Sequence, residues 1–246
     1  MNNNALLKTI YYCWFGRTQI PDKFVAYLDT WSKFFPEYTI VEINEETFDI
    51  SAYAYAKTAY AAGKYAFVSD VARIHFLQKN GGIYLDTDVE IRSSFDNFFQ
   101  KNEYSIFGVI LSMEYFMYEI TGVNTATIIS KPDQKIWGDL LDIYKTTNFL
   151  VEAPKITINQ YLNTLLQAAT SFKYKDVRME LSYHSDSILI LPSNIWARKT
   201  KNSLAYHHLQ GSWSEITTPG QKLRRLLGIT IKKIIGRRLF EKLWKK

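Results

Sequence analysis

The chain predicts an α/β fold of alternating strands and helices, and three features carry that expectation. Short β-branched and aromatic runs alternate with longer segments whose apolar residues recur at helical spacing, as strands interleaved with helices require. The opening reads strand, helix, strand, which implies a parallel pair joined by a right-handed crossover. Gly81-Gly82 then ends a long helix directly before a short apolar run, the arrangement of a helix feeding a buried strand.

In order, Lys8 to Phe15 (KTIYYCWF) is an aromatic and β-branched run closed by Gly16, a first strand. Pro21 opens a helix near Asp22 to Phe35, because proline at the first helical position loses no hydrogen bond it would have made. Its apolar residues Phe24, Tyr27, Leu28, Trp31 and Phe35 share helical spacing, and Tyr38 to Ile43 forms a second strand. Ala52 to Ala61 and Lys64 to Asn80 read as helices, with Gly81 free to adopt the left-handed cap conformation. Ile83-Tyr84-Leu85 is a brief strand that runs into Asp86-Thr87-Asp88, and Val89 to Ile91 resumes extended chain. Strands at Ile106 to Leu111, Thr125 to Ile129 and Ser187 to Leu191, with helices at Pro132 to Thr146 and Asn159 to Ala169, complete the pattern. No repeat or linker interrupts it before about residue 217, so one domain over 1–218 and a basic tail over 219–246 are expected.

Composition narrows the function classes. With 246 residues, 47% apolar and 22% charged, the chain is globular rather than disordered. The single cysteine, Cys13, excludes a disulfide framework and a zinc cluster, and its apolar surroundings read as a buried thiol in a reducing compartment. No run reaches the roughly 18 apolar residues of a membrane span, and Met1-Asn2-Asn3-Asn4 lacks the regions of a signal peptide. The net charge of +6 divides unevenly: residues 221–246 hold ten Lys or Arg against Glu241, while the other 220 residues sum to −3. A nucleic-acid binder spreads basic and aromatic residues over a face of its fold; here the charge is an appendix, which argues against a nucleic-acid partner.

The sharpest local signal is Asp86-Thr87-Asp88. Two carboxylates at i and i+2 behind a buried strand share one side of an extended chain, at the strand end where open α/β sheets place ligands. Such a pair is costly unless a cation or proton neutralises it, and oxygen ligands suit Mg²⁺ or Mn²⁺; the plainer alternative is a solvated turn. Asp70 and Arg73, three apart on the preceding helix, fall on one face within an otherwise apolar stretch, either as an ion pair at a core edge or as neighbours of the carboxylates. Far along the chain, His207-His208 precedes Gly211-Ser212-Trp213; these histidines are surface residues or the imidazole that completes a divalent-metal site. A carboxylate-held metal suits a diphosphate, hence phosphoryl transfer or glycosyl transfer from a nucleotide-sugar. Glu90 stands where an aspartyl phosphatase places Thr or Val, and no G-x-x-x-x-G-K-[S/T] loop occurs, which disfavours phosphoryl transfer.

These pieces resemble the DxD-motif glycosyltransferases of family 32, which include yeast-type mannosyltransferases and bacterial capsule or lipopolysaccharide enzymes. The family is more distantly similar to the large clostridial glucosylating toxins. The likeness rests on IYYCWFG (10–16), PEYTIVEINEETFDI (36–50), AYAAGKYAFVSDVARIHFLQKNGGIYLDTDVEI (59–91) and AYHHLQGSW (205–213). It implies a nucleotide-sugar-binding GT-A fold, a Rossmann-like mixed sheet flanked by helices, and retention of configuration at the anomeric carbon. By resemblance, Trp14 stacks on the donor base, with a core role as its alternative, and Asp70 binds ribose or sugar hydroxyls. Arg73 faces the sugar and diphosphate, Tyr84 supports the site, Asp86 touches ribose and sugar, and Asn124 meets the donor sugar. Asp88 is the metal ligand together with His207, or alternatively His208; Ser212 and Trp213 close over the diphosphate. Asp86, Asp88 and Arg73 form the catalytic set.

The resemblance implies a Mn²⁺- or Mg²⁺-dependent transfer of a hexose from a UDP- or GDP-sugar to a glycan or lipid-linked acceptor in surface polysaccharide biosynthesis. A protein-modifying, toxin-like transferase is the alternative. Leu239, Phe240, Leu243 and Trp244 gather opposite Arg238, Lys242 and Lys246 on a helical wheel, as an interfacial anchor would. The tail over 219–246 is therefore expected to hold a cytoplasmic enzyme peripherally on the anionic inner face of the cell membrane.

Overall fold

In a computed structural model of the chain, residues 8–95, 107–116, 119–150, 156–173 and 175–209 are described. Ser212, Trp213 and the tail at 219–246 lie outside the described residues.

Strands β1 (Thr9–Cys13) and β2 (Thr39–Ile43) flank helix α1 (Asp22–Phe34) and pair in parallel, as a right-handed crossover predicts. Helices α2 (Ala54–Ala61) and α3 (Tyr65–Asn80) lead into β3 (Gly82–Leu85), which adds in parallel to the other side of β1. The tight reversal between α3 and β3 needs both glycines. Gly81 has φ +65° and Gly82 φ +112°, and a Cβ on Gly82 would stand 2.9 Å from the Thr9 carbonyl oxygen. After a short β4 (Val89–Ile91) come β5 (Val109–Phe116), the long β6 (Glu119–Ser130), α4 (Lys135–Thr146), α5 (Ile158–Ala169), β7 (Met179–Tyr183), β8 (Asp186–Leu191), α6 (Ser193–Trp196) and β9 (Ala205–His207).

Seven strands form one sheet in the order β2-β1-β3-β6-β5-β8-β7, and β4 with β9 makes a separate two-stranded ribbon. β6 runs antiparallel to both β3 and β5, and β8 runs parallel to β5. The carboxyl ends of β2, β1, β3, β5 and β8 therefore share one edge. Alternation along the strands sorts the core into two layers. Tyr11, Cys13, Tyr84, Ile188 and Ile190 pack under α2, α3, α4 and α5, while Ile10, Tyr12, Ile83, Leu85, Leu189 and Leu191 pack against Trp31, Phe35 and Trp196. Cys13 is buried and unbonded to sulfur, and burial pushes its thiol up to about 12.

The sequence pattern misses β7, α6 and β9, and several boundaries move, with β1 ending at Cys13 rather than Phe15, α2 starting at Ala54 rather than Ala52 and β5 at Val109 rather than Ile106. β6 begins at Glu119 rather than Thr125, because it extends as a ribbon with β5 beyond the sheet core. β5 runs on to Phe116 for the same reason, and Ile106 lies outside the described residues. α4 starts at Lys135 rather than Pro132, because Asp133 takes φ +57° and its N–H turns to the Gln78 carbonyl, closing the loop after β6 before a helix can start.

Candidate active site

The carboxyl edge of β3 carries the site. Asp86 and Asp88 do not extend the strand, as i, i+2 alternation would have it. The Val89 N–H donates to the Asp86 carbonyl at 2.9 Å, closing a turn, and the Asp86 N–H donates to the Ala126 carbonyl at 2.8 Å. This turn, rather than a strand pleat, brings the two carboxylates to one place. It is pinned from the α1 side, where the Trp31 indole N–H donates to the Val89 carbonyl at 2.8 Å and the Ile91 N–H to Thr30 Oγ1 at 3.0 Å.

Beneath the turn lies a buried charge cluster. Arg73 Nη2 meets Asp70 Oδ1 at 3.1 Å and Nη1 meets Asp86 Oδ1 at 3.2 Å, with only 7% of the Arg73 side chain exposed. Nη1 also donates to the Thr125 carbonyl at 3.0 Å and Nε to the Ser69 carbonyl at 3.2 Å. The guanidinium lies 4.5 Å from the centre of the Tyr84 ring, whose hydroxyl donates to Asp86 Oδ1 at 2.8 Å. Arg73 is thus committed to holding two carboxylates, and Tyr84 both fills the core and orients Asp86. Burial works against the Arg73 charge, yet Asp86, Tyr84 and Asp70 outweigh it and raise its pKa. Burial also pushes Asp70 up to about 6 against the pull of Arg73, although the Ile158 N–H at the start of α5 donates to its Oδ2 at 3.3 Å.

The third donor arrives from β9. Val89 pairs with His207 across the ribbon, and His207 Nε2 sits 3.2 Å from Asp88 Oδ1. Asp86, Asp88 and His207 each offer a ligand atom, all within 4.8 Å of one another. Two hard carboxylate oxygens with one imidazole fit a divalent cation such as Mn²⁺ or Mg²⁺. Burial opposes a charge on His207, but the hydrogen bond and charge of Asp88, then the charges of Asp86 and Glu114, prevail and raise its pKa. His208 turns the other way: its Nε2 meets Glu90 Oε2 at 2.9 Å and its ring stacks on Tyr27 at 4.3 Å. Strand alternation separates the two histidines, and only His207 joins the aspartates.

Asn124 is buried beside this cluster. Its Nδ2 lies 3.3 Å from His207 Nδ1, and its Oδ1 accepts from the Ala126 N–H at 2.8 Å. Trp14 stands apart at the end of β1, half-buried, its indole N–H donating to the Thr18 carbonyl at 2.6 Å. It forms one wall of a groove of about 240 Å³ lined also by Arg17, Thr18, Glu42, Asn44, Glu45 and Glu46. Sequence reasoning passes over that lining, and over a polar chain beside the cluster. Thr125 Oγ1 donates to Asn159 Oδ1 at 2.6 Å, and Asn159 Nδ2 donates to Glu114 Oε1 at 3.0 Å. The one available signal is Glu114 itself, a charge within the apolar run VILSMEYF.

Five parallel and two antiparallel strands flanked by helices, with the DxD turn at the carboxyl edge of β3, form a mixed α/β sheet of the GT-A type. Residues 21–105, which span Asp70, Arg73, Asp86 and Asp88, match the family described as "Glycosyltransferase sugar-binding region containing DXD motif". No curated protein matches the chain. Among solved structures it is similar to the PaToxG glycosyltransferase (21% identity over 55% of this chain and 58% of that one, TM-score 0.43), so it spans less than two thirds of that relative. It is also similar to a glycosyltransferase involved in glycosylation of the major capsid of PBCV-1 (13%, 83% and 94%, TM-score 0.48). A third is the galactosyltransferase LgtC in complex with donor and acceptor sugar analogs (13%, 89% and 94%, TM-score 0.42).

Proposed function

We propose that the chain is a metal-dependent, retaining hexosyltransferase of the family 32 type, using a UDP- or GDP-linked sugar as donor. The observation that carries this reading is the convergence of Asp86, Asp88 and His207 at the carboxyl edge of β3, beside the buried Asp70–Arg73 pair. Asp88 and His207, with Asp86, would hold Mn²⁺ or Mg²⁺, which when bound neutralises charge building on the departing nucleoside diphosphate. Trp14 offers a face for the base at the end of β1. Arg73 acts by fixing Asp70 and Asp86, which present carboxylate oxygens to ribose and sugar hydroxyls. Asn124 braces His207 and borders the sugar position. Ser212 and Trp213 are assigned, by resemblance alone, to closing over the diphosphate.

The acceptor is a glycan or lipid-linked sugar of surface polysaccharide, such as capsule or lipopolysaccharide. The support is the basic, apolar-faced tail at 219–246, which suits an anionic membrane surface; the same division gives a catalytic domain over 1–218. Among the described residues, no helix is long and apolar enough to cross a membrane. The test is hydrolysis of a nucleotide-sugar panel with Mn²⁺, comparing the intact chain with Asp88→Asn. Release of nucleoside diphosphate by the intact chain, abolished by the substitution or by chelator, is the expected result; full turnover by Asp88→Asn would overturn the metal reading. For the tail, sedimentation with anionic vesicles should depend on residues 219–246 and weaken with salt. Equal sedimentation without them removes the membrane role.

A further inference from the structure

Strand order turns the sheet edge into a ruler. The groove beside Trp14 lies at the carboxyl ends of β1 and β2, and the carboxylate–imidazole cluster lies at the end of β3. A donor with its base in that groove and its diphosphate at the cluster must continue in the same direction, over β6 and then β5. From β1 to β5 is three inter-strand steps, about 14 Å. That distance suits the arm of ribose and diphosphate that separates a base from its sugar.

The register fixes which residue of β5 meets that sugar. Ile83 of β3 and Ile110 of β5 both pair with Ile129 of β6, so they stand at one level. From that level β3 runs only two residues to Leu85 before the turn that carries the two aspartates, while β5 runs on four residues to Glu114. The register shifts of the β5–β6 pair displace β6 here, where it presents Asn124 and Thr125, and Glu114 pairs with Gly122, which has no side chain. Glu114 is half-buried, and Asn159 from the first turn of α5 donates to its Oε1 at 3.0 Å. Asn159 is itself fixed by Thr125, whose carbonyl accepts from Arg73. One hydrogen-bonded chain thus sets the Glu114 carboxylate relative to the Asp70–Arg73–Asp86 cluster.

We propose that Glu114 is a specificity-determining residue that accepts hydrogen bonds from hydroxyls of the transferred sugar. The assignment rests on the donor reading given above. A sugar hydroxyl donating to a carboxylate that Asn159 already orients makes a charge-assisted bond, and losing such a contact costs about tenfold in affinity. Because the base and diphosphate lie elsewhere along the edge, the loss should fall on the sugar alone.

The experiment is titration calorimetry on the full chain with Mn²⁺, using UDP and GDP and then UDP-glucose, UDP-galactose, UDP-N-acetylglucosamine and GDP-mannose. Wild type, Glu114→Gln and Glu114→Ala are compared, with melting temperature measured for each. The expected result is nucleoside diphosphate affinity within about twofold of wild type, with the preferred nucleotide-sugar weakened about tenfold by Glu114→Ala and less by Glu114→Gln, which keeps one acceptor. Equal weakening of nucleoside diphosphate and nucleotide-sugar, or no change in either, overturns the assignment while the donor reading stands. If wild type binds neither UDP nor GDP, the donor reading itself falls, and the assignment with it. Glu114→Gln covers the case in which Glu114→Ala fails to fold.

Discussion

Removing Arg73 tests whether the buried cluster is held by charge. Arg73→Met keeps most of the apolar volume but leaves Asp70 buried, with 11% of its side chain exposed and, among the described residues, the Ile158 N–H facing its Oδ2. Breaking a buried pair by deleting one partner costs about 3–5 kcal/mol. At about 2–4 °C per kcal/mol for a chain of this size, that predicts a melting point lowered by roughly 6–20 °C at pH 8. The pH dependence gives the sharper check. Asp70 titrates at about 6 in the folded protein, above the ordinary carboxylate value of about 4. The folded state therefore keeps a proton that the unfolded state has lost across that window, and stability falls as pH rises through it. Arg73 pulls this pKa down, so without it the value climbs and the window widens upward. The deficit of Arg73→Met should be smaller at pH 5, where Asp70 is protonated with or without its partner and the loss falls on the Asp86 contact, than at pH 8. Adding Asp70→Asn should recover much of the loss at pH 8. Urea melts at the two pH values decide the matter: a deficit below about 1 kcal/mol, or one that is equal at pH 5 and pH 8, refutes the reasoning.

Two further outcomes follow from the site. Trp14→Ala should weaken nucleoside diphosphate binding by about 1–3 kcal/mol, the scale of one base–aromatic stack, with little change in melting temperature. A destabilised variant that binds normally would return Trp14 to the core. For the histidines, Mn²⁺ affinity measured by paramagnetic resonance should drop in His207→Ala and stay near wild type in His208→Ala. It should also rise with pH through the raised pKa of His207, because a cation must displace that proton. Equal loss in the two variants would contradict the opposed directions of these rings.

Much of this site is legible from local spacing. Asp70 and Arg73 at i, i+3 on one helix, two glycines, a short apolar strand and two aspartates form one continuous stretch, so proximity in sequence already implies proximity in space. His207 is a different matter. β9 is three residues long, carries no strand pattern of its own and takes its direction from β4, which lies more than a hundred residues earlier. Nothing short of the pairing register distinguishes it from His208. Glu114 and Asn159 are hidden for a related reason: one sits on a strand whose end extends past the sheet core, the other on the first turn of a helix, and their meeting depends on how β6 shifts register. The fate of the aspartates also eludes strand logic, because a turn closed by the Val89 N–H replaces the extended geometry that alternation assumes.

The β4–β9 ribbon stands outside the seven-stranded sheet and is held by three register pairs, yet it delivers one of the three donors of the cluster. A cation shared by Asp88 and His207 would act as a removable staple across one of the longest loops in the chain, closing it only in the folded state. Its stabilisation would grow with the logarithm of cation concentration. Amide protons of Ala205 to His208 should exchange with solvent well before those of β1 and β3, and chelation should widen that gap. The strand that completes the site is, on this account, also the first part of it to let go.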